Sequence, residues 1–522
     1  MTAKTRYDYL SSDRTQFLDE AEEAAELTLP YLIHKDQYTK GMKHLPTPWQ
    51  SVGAKGAVTL AAKLMQSMLP VQTSFFKLQV DESQLGQEFG PQVKSELDLS
   101  FAKIERTILE AIASSNDRVV LHEALLHLVV AGNALIFMDK DGLKVYPLSR
   151  YVVERDGNGN VIEIITKETI AKKLIADQLP EDILKDYNTV VDSSPDNVEE
   201  CDIYTHITRD NNRYVWHQEV HGKILDKSYG KAPVDVSPWI PLRFNTVDGE
   251  DYGRGRVGQF IGDLKSLEAL SQALVEGSAA AAKVVFTVSP SSTTKPSTLA
   301  NAGNGAIVQG RPDDIGVVQV GKTADFRTAF EMMQTLERRL NEAFLVMQVR
   351  QSERTTAEEV RLTQMELEQQ LGGLFSLLTT EFLLPYLNRI LNQFQKTGKI
   401  PRLPKDIVKP TIVAGVNALG RGQDRESLGQ FLTVISQTMG PEAVQKYINP
   451  EEVIKRLAAS QGIDVLNLVR SMQEIQGEQQ QAQQMAMQQQ QQEQQVAMMK
   501  TPMMDPSKNP AMAGQEQPPT QE

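Results

Sequence analysis

Three segments with helical spacing of apolar residues lie in the middle of the chain, and their order limits what the chain can fold into. They cover about residues 258–283, 324–347 and 357–395. In the first, Leu264, Leu267 and similar residues form one apolar stripe, as in a helix that packs along one face. Two antiparallel helices, an insert between them and a long third helix are typical of a subunit that lines a ring, and not of an enzyme cleft.

The connections between these helices differ in kind. The insert between the first two is rich in Gly, Pro and Ser, and short strands are predicted in it. A short polar loop that contains Arg350 and Arg354 joins the second helix to the third. The third helix is interrupted by Gly372-Gly373 and by Pro385, and kinks are found at such residues.

The composition indicates a protein that is folded over most of its length. The chain has 522 residues, a net charge of −13 and 40% hydrophobic residues, which predicts about two to four domains. An acidic chain is not built to grip nucleic acid over its whole surface. The single cysteine, Cys201, cannot form an intrachain disulfide, which fits a reducing compartment. The N-terminus has no apolar signal region, and we expect a soluble, non-secreted protein.

The segments on either side of the central helices complete a fold that is mainly α, with an α+β N-terminal half. Apolar periodicity and turn residues define its predicted elements. The predicted helices cover about 15–32, 52–68, 92–114 and 117–130, and the strands 74–80, 134–138, 143–146, 161–166, 202–208, 214–219 and 240–245. A short strand beyond Pro410 and helices to about residue 475 follow. Residues 478–522 are rich in Gln, Met and Pro; the part before Lys500 is either helical or flexible, and the rest is expected to be a flexible tail.

One motif resembles a phosphate-binding loop. Residues 316–323 match the pattern GxxxxGK[ST], with Gly321, Lys322 and Thr323 at its end. In a true phosphate loop a strand precedes the motif, whereas here Val317 to Val320 alternate as a strand themselves. We therefore favour a β-strand with a turn over nucleotide binding.

Two other motifs have equally local explanations. Residues 253–258 match GxGxxG, but the βαβ frame of a dinucleotide site is absent, so a glycine turn entering a helix is favoured. The acidic residues just before it are more typical of a solvated loop than of metal ligands. His122 and His127 are five positions apart and lie about 140° apart on a helix, so they cannot share a metal. No catalytic centre, cofactor or metal site is predicted.

Taken together, the segments resemble the portal, or head–tail connector, proteins of short-tailed, podovirus-type phages with double-stranded DNA. The resemblance covers about residues 47–424. It is carried by matching segments in the same order: 47–56, 128–133, 149–156, 202–207, 262–268, 356–361, 371–373 and 418–424. Many matches in one order are far more specific than any single match.

The resemblance implies a portal fold in a ring of twelve subunits at one capsid vertex. Its parts would fall on defined segments of this chain. They are an α+β wing (1–257), stem helices (258–283 and 324–346) that flank a β-containing clip (284–323), a tunnel loop (347–356), a long kinked helix that returns to the wing (357–409), a crown (410–477) and the tail (478–522).

The resemblance also implies functional surfaces. The clip, with Pro290, Lys295, Pro296 and Arg311, would bind a tail adaptor protein and, earlier, the terminase large subunit, which is implied to hydrolyse the ATP. Further implied partners are the major capsid protein, a scaffolding protein and internal core proteins. The protein would be part of the virion, and would be in the host cytoplasm during assembly.

The residues themselves support a DNA conduit in which an acidic wall repels the duplex and a few cations contact it. The candidate contacts are Arg350 and Arg354 in the loop, then Arg338 and Arg339 on the second helix. Each is alternatively a surface arginine or half of an ion pair between subunits. Two other functions stay open: a P-loop NTPase acting on DNA, and a scaffold or tail structural protein without a DNA channel.

Overall fold

The computed structural model describes most of the N-terminal four fifths of the chain. The residues that it describes are 2–33, 45–70, 74–80, 91–139, 142–171, 200–225, 228–281, 285–292, 295–303, 307–311, 313, 315–318, 323–346, 371–403, 408–412, 421–440, 448 and 453–454. The chain divides into two compact units, Met1–Ala418 and Leu419–Glu522.

Helices make up the larger part of the described structure. They are α1 (Ala3–Glu26), α2 (Val52–Met68), α3 (Pro91–Ser114), α4 (Asp117–Ala131), α5 (Arg256–Gln259), α6 (Ile261–Ala281), α7 (Pro296–Ala300), α8 (Thr323–Ala343), α9 (Leu384–Lys396) and, in the second unit, α10 (Arg421–Met439). Residues 371–378 are also helical and continue through a π-helical turn, Thr379–Leu383, into α9. No helix among the described residues is both long and apolar enough to cross a membrane.

The strands form small antiparallel sheets. They are β1 (Phe76–Val80), β2 (Asn133–Met138), β3 (Leu143–Tyr146), β4 (Tyr151–Arg155), β5 (Val161–Ala171), β6 (Glu200–Asp210), β7 (Arg213–Val220), β8 (Lys223–Ile224), β9 (Gly230–Pro233), β10 (Trp239–Arg243), β11 (Val285–Val288), β12 (Ile315–Val318) and β13 (Val408–Ile412). The largest sheet has the order β4-β5-β6-β7-β8, with β9 also on β7. A second has the order β10-β2-β3, and β11 pairs with β12.

The core of the first unit surrounds α4. Every residue in its second half, 124–131, is buried, and Leu125, Leu128 and Val129 are fully so. A helical segment that is apolar nearly all round must be covered on every side. It contacts α1, α2, α5, β2 and β3, which places the central helices next to the N-terminal sheets.

The sequence predicted α2 at its observed bounds, and most other elements within a few residues. Two predicted helices were wrong in detail, and some strands were not predicted. The N-terminal helix begins and ends earlier than residues 15–32, at Ala3 and Glu26. The strands β4, β8 and β9 were not predicted. The first central helix is not continuous from residue 258, because it is interrupted at Phe260, whose φ of −118° ends α5.

The strand near Pro410 has a partner that lies far away in the sequence. β13 pairs with β1 in antiparallel register, from Phe76 opposite Ile412 to Val80 opposite Val408. Residues 408–412 therefore belong to the first unit, which ends at Ala418. The part assigned to the crown begins, at residue 410, inside this strand.

Candidate functional site

The helices α6 and α8 form an antiparallel hairpin, which we call the hairpin. Asp263 near the start of α6 pairs with Arg339 near the end of α8, at 3.0 Å. Ser271 lies further along α6 and donates from Oγ to Met333 Sδ, at 3.8 Å. Gly277 lies at the other end, and a Cβ there would come within 2.6 Å of the Phe326 ring. The two helices therefore run in opposite directions along their contact.

The four arginines predicted to contact DNA have different surroundings. Arg350 and Arg354 lie outside the described residues. Arg338 is exposed on the hairpin, whereas Arg339 makes its ion pair with Asp263 of the same chain. That contact is an intrachain alternative to the pair between subunits that the sequence left open. The structure therefore describes the surroundings of only two of the four arginines.

The C-terminal end of α8 has an unusual backbone. Leu345 has a φ of 57°, in the left-handed region that glycine usually occupies at helix ends. Its N–H donates to the Glu342 carbonyl at 3.0 Å, and the Val346 N–H donates to the Asn341 carbonyl at 2.7 Å. These are the two hydrogen bonds of a Schellman helix end. A left-handed conformation costs a residue with a side chain roughly 1–2 kcal/mol, so other contacts must hold it.

Two cations from different elements donate to this helix end. Arg256 in α5 donates to the Ala343 carbonyl, from Nη2 at 3.0 Å and from Nε at 3.3 Å. Lys63 in α2 donates from Nζ to the Leu345 carbonyl. Burial lowers the pKa of both side chains. The free carbonyls and the negative end of the helix dipole favour cations here. We call Lys63 and Arg256 the clasp.

The same helix end is packed into the core by Phe344. Its side chain is fully buried against α2, where a Cβ at Gly56 would lie 2.6 Å from Phe344 Cγ. Gly56 and Lys63 are two turns apart and therefore lie on one face of α2. The Arg256 guanidinium lies over the Phe260 ring, 5.0 Å from its centroid. Glycine at position 56 thus permits the close approach that brings Lys63 to Leu345.

The other end of the hairpin carries the paired strands β11 and β12. Val285 lies opposite Val318, and Thr287 Oγ1 donates to the Gly316 carbonyl at 3.2 Å. The phosphate-loop match therefore starts inside a paired strand, as the favoured interpretation predicted, although Lys322 lies outside the described residues.

The four residues predicted to bind an adaptor lie in the same insert. Lys295 and Pro296 begin the short helix α7, and Pro290 and Arg311 are exposed outside helices and strands. All four residues are exposed, so they are surface positions in the insert that carries the strand pair.

The GxGxxG motif has a packing role. Asn133 Nδ2 donates to the Gly253 carbonyl, and the Gly253 N–H donates to Asn133 Oδ1, both at 2.7 Å. Gly132 has a φ of 77°, and a Cβ there would lie 2.4 Å from the Gly255 nitrogen. The glycines therefore allow two backbone segments to touch where α4 ends.

The long helix is irregular near its middle. Gly372 and Gly373 lie within the regular helical residues 371–378, whereas the π-helical turn at Thr379–Leu383 comes just before Pro385. Proline has no N–H, so it leaves the carbonyl four residues earlier without its helical donor. That carbonyl belongs to Glu381, which is part of the π turn.

The π turn points Glu381 at the edge strand β10. Its carboxylate accepts from the Arg243 N–H at 3.1 Å and from Arg243 Nη2 at 2.6 Å. Arg155 Nη1 lies 3.9 Å away, and burial lowers the pKa of Arg155. One carboxylate thus satisfies an edge N–H and faces two guanidinium groups, which fixes the long helix on the N-terminal sheets.

The two histidines of α4 have different surroundings. His127 is buried, and burial lowers its pKa to about 4, so the ring is neutral at pH 7. His122 lies elsewhere on α4, partly exposed. Among the described residues no group of His, Cys, Asp and Glu side chains could hold a metal ion.

Comparisons with known proteins show the family of this chain. A family model described as bacteriophage head to tail connecting protein matches residues 1–468. The chain is 38% identical to the portal protein of Escherichia phage T7 over 91% of this chain and 89% of that protein. It is 38% identical to the portal protein of Enterobacteria phage T3 (90% and 88% covered) and 31% identical to that of Enterobacteria phage SP6 (85% of each).

A chain with these matches is a phage structural protein of the head–tail junction. It belongs to the family of bacteriophage head to tail connecting proteins, which confirms the resemblance drawn from the sequence. A capsid portal function is the one that these relatives share.

Sequence reasoning did not single out the clasp, Leu345 or Glu381. Two signals were present, because Gly56 ends one of the matching segments and Arg256 lies inside the GxGxxG motif. Neither signal shows which carbonyl a nearby cation contacts, because that depends on how distant elements pack.

Proposed function

We propose that twelve copies of this chain form a closed ring at one capsid vertex and serve as the conduit for double-stranded DNA during packaging, retention and ejection. The observation that carries this proposal is the hairpin, in a chain of the head to tail connecting family. It has a strand pair at one end and leads at the other into the basic residues 347–356. These parts correspond to a stem, a clip and a tunnel loop.

The charge of the chain supports sliding rather than tight binding of DNA. Twelve copies with a net charge of −13 each would carry about −156 charges, which repel the phosphates. Arg350 and Arg354, and to a lesser degree Arg338, would supply short-lived contacts. Arg339 is the weakest of the four candidates because Asp263 already occupies its guanidinium.

Electron microscopy of the purified protein tests the conduit. We expect rings with a central hole about as wide as a duplex. Filaments, or discs without a hole, would show that the protein is a scaffold or tail structural protein instead.

The double variant Arg350→Ala, Arg354→Ala tests the DNA contacts. It should still assemble rings but should alter packaging or release DNA from filled heads. The matched control is Arg327→Ala, which removes an exposed cation that pairs with Glu331. Normal DNA-filled heads from the double variant would remove the two arginines from the contact surface.

The remaining partners are assigned by position. The clip would bind the tail adaptor protein and, before it, the terminase large subunit, through residues around Pro290, Lys295, Pro296 and Arg311. The wing would contact the major capsid protein and the scaffolding protein, and the crown any internal core proteins.

A further inference from the structure

The clasp lies at the point where the chain leaves the hairpin. Arg256 donates to the Ala343 carbonyl and Lys63 to the Leu345 carbonyl, so the two cations contact carbonyls two residues apart at one helix end. They come from α5 and α2, elements that lie far apart in the sequence. The helix end is therefore held from two sides before residue 347.

Neither cation is neutralised by a carboxylate within the described part of the chain. No ion pair to Lys63 or Arg256 is present there, and burial alone lowers the pKa of each. The second contact of Arg256 is with a neutral amide, Gln259 Oε1, at 3.1 Å. A half-buried charge without a carboxylate partner is unfavourable unless other groups accept its hydrogen bonds, and here backbone carbonyls do so.

These hydrogen bonds in turn stabilise the strained backbone at Leu345. A leucine is a poor residue for a left-handed helix end, and its φ of 57° persists only where the surroundings hold it. The direction of the next residues depends on this one conformation. If Leu345 relaxed to a right-handed or extended conformation, the chain would leave the hairpin at a different angle.

We propose that Lys63 and Arg256 are positioning residues for residues 347–356, and that they act by holding Leu345 in its left-handed conformation. They fix the direction of the backbone at Val346, the last residue before this basic segment, in every copy of the ring. This inference rests on the proposed conduit function, because that function gives the segment its contact with DNA.

The test uses full-length rings that carry Lys63→Met, Arg256→Met or both. Methionine keeps much of the apolar packing of each side chain and removes its charge. Hydrogen exchange would be followed at the Val346 amide, which reports the Schellman hydrogen bond to Asn341. We expect about tenfold faster exchange at Val346 in the double variant, with mid-helix amides such as that of Leu336 unchanged. Filled heads that carry it should lose DNA sooner than wild-type heads.

Matched variants separate positioning from general stability. Lys265→Met removes an exposed lysine of the hairpin that pairs with Glu23, and it should change neither readout. Lys63→Arg and Arg256→Lys keep the charges, so exchange at Val346 should stay as slow as in the wild type. If the double variant does not fold, each single methionine variant is compared with its charge-keeping counterpart instead. A role in stability alone would speed exchange at Leu336 and Val346 alike.

Two results would overturn the inference. One is an unchanged exchange rate at Val346 in the double variant, and the other is normal DNA retention despite faster exchange there. Failure of the conduit itself would look different, because electron microscopy of the wild-type protein would then show no ring with a central hole, while the exchange experiment would still report on the clasp.

Discussion

Glu381 shows how much a single carboxylate can hold at the residue scale. It accepts from the main chain and side chain of Arg243 and faces Arg155, in a partly buried site. We expect Glu381→Gln to lower the free energy of unfolding by about 2–3 kcal/mol. The shape of the side chain is kept, but two guanidinium groups lose the carboxylate charge that they face. Urea unfolding of the purified protein measures this change.

The control for Glu381→Gln lies on the exposed face of the hairpin. Glu331 pairs with Arg327, and both side chains are largely exposed. Glu331→Gln should change the free energy of unfolding by less than about 0.5 kcal/mol, as is usual for such pairs. Equal losses in the two variants would mean that the buried network contributes no more than a surface pair.

Glu163 gives the protein a pH dependence that can be traced to one site. It accepts from Arg6 Nε at 2.8 Å and lies 2.5 Å from His206 Nε2, which joins the start of α1 to the large sheet. Burial alone would raise its pKa, but the hydrogen bonds to His206 and Arg6 outweigh burial, and the pKa lies below its ordinary value. A lowered carboxyl pKa stabilises the folded state above the unfolded pKa, about 4.3, and this stabilisation disappears as the pH falls through the folded pKa.

The comparison of wild type with Glu163→Gln isolates this effect. The difference in unfolding free energy between them should not fall between pH 7 and pH 5, and it should shrink below about pH 4.3. Chemical denaturation at a series of pH values measures it. A difference that grows toward pH 3 would assign the acid sensitivity to other carboxylates.

At the scale of elements, the end of α8 is the least ordinary feature. In a regular helix, glycine is about 1 kcal/mol less stable than alanine. At Leu345 the order should be reversed, since a left-handed φ costs alanine roughly 1–2 kcal/mol and costs glycine little. Leu345→Gly should therefore be more stable than Leu345→Ala in urea unfolding by about 1 kcal/mol.

The pair of variants cancels the loss of the leucine side chain, because both remove it. A matched measurement at Ala269, on the exposed face of α6, gives the ordinary order, with Ala269→Gly less stable than wild type. If glycine is the less stable residue at both positions, the helix end carries no strain that the clasp must hold.

The elements that local sequence defines were also the ones that could be predicted. The spacing of apolar residues and the proline at position 70 predicted both bounds of α2. The turn residues 156–160 predicted that β5 begins at Val161. The strand β4 was missed because Tyr151–Arg155 is short and its first three residues are all buried, so it lacks alternation.

The candidate site could be predicted only in outline. The hairpin and its basic loop follow from periodicity, whereas the partners of individual charges do not. Arg339 was proposed to contact DNA because it is a cation on the second helix. Its ion pair with Asp263 depends on how α6 and α8 pack, which the sequence does not show. Lys63 and Leu345 lie on separate elements, and no local pattern brings them together.

At the scale of the molecule, β13 ties the chain after the long helix back to its N-terminal part. Phe76 is fully buried and Leu78 nearly so on β1, whose described strand partner is β13. A chain that ends at residue 418 keeps this pair and should unfold with nearly the free energy of the first unit in the full protein. A chain that ends at residue 403 loses it and should be less stable by about 3 kcal/mol or more, because two large apolar side chains lose part of their cover.

Urea unfolding of the two truncated chains, followed by tryptophan fluorescence, makes this comparison. Both end after the long helix and both lack the whole second unit, so they differ only in residues 404–418. Adding a peptide of residues 404–418 to the shorter chain should recover part of the loss if strand pairing is its cause. Equal stability of the two chains would mean that β13 only rests on the first unit, and that the division of the molecule falls before residue 408 rather than after Ala418.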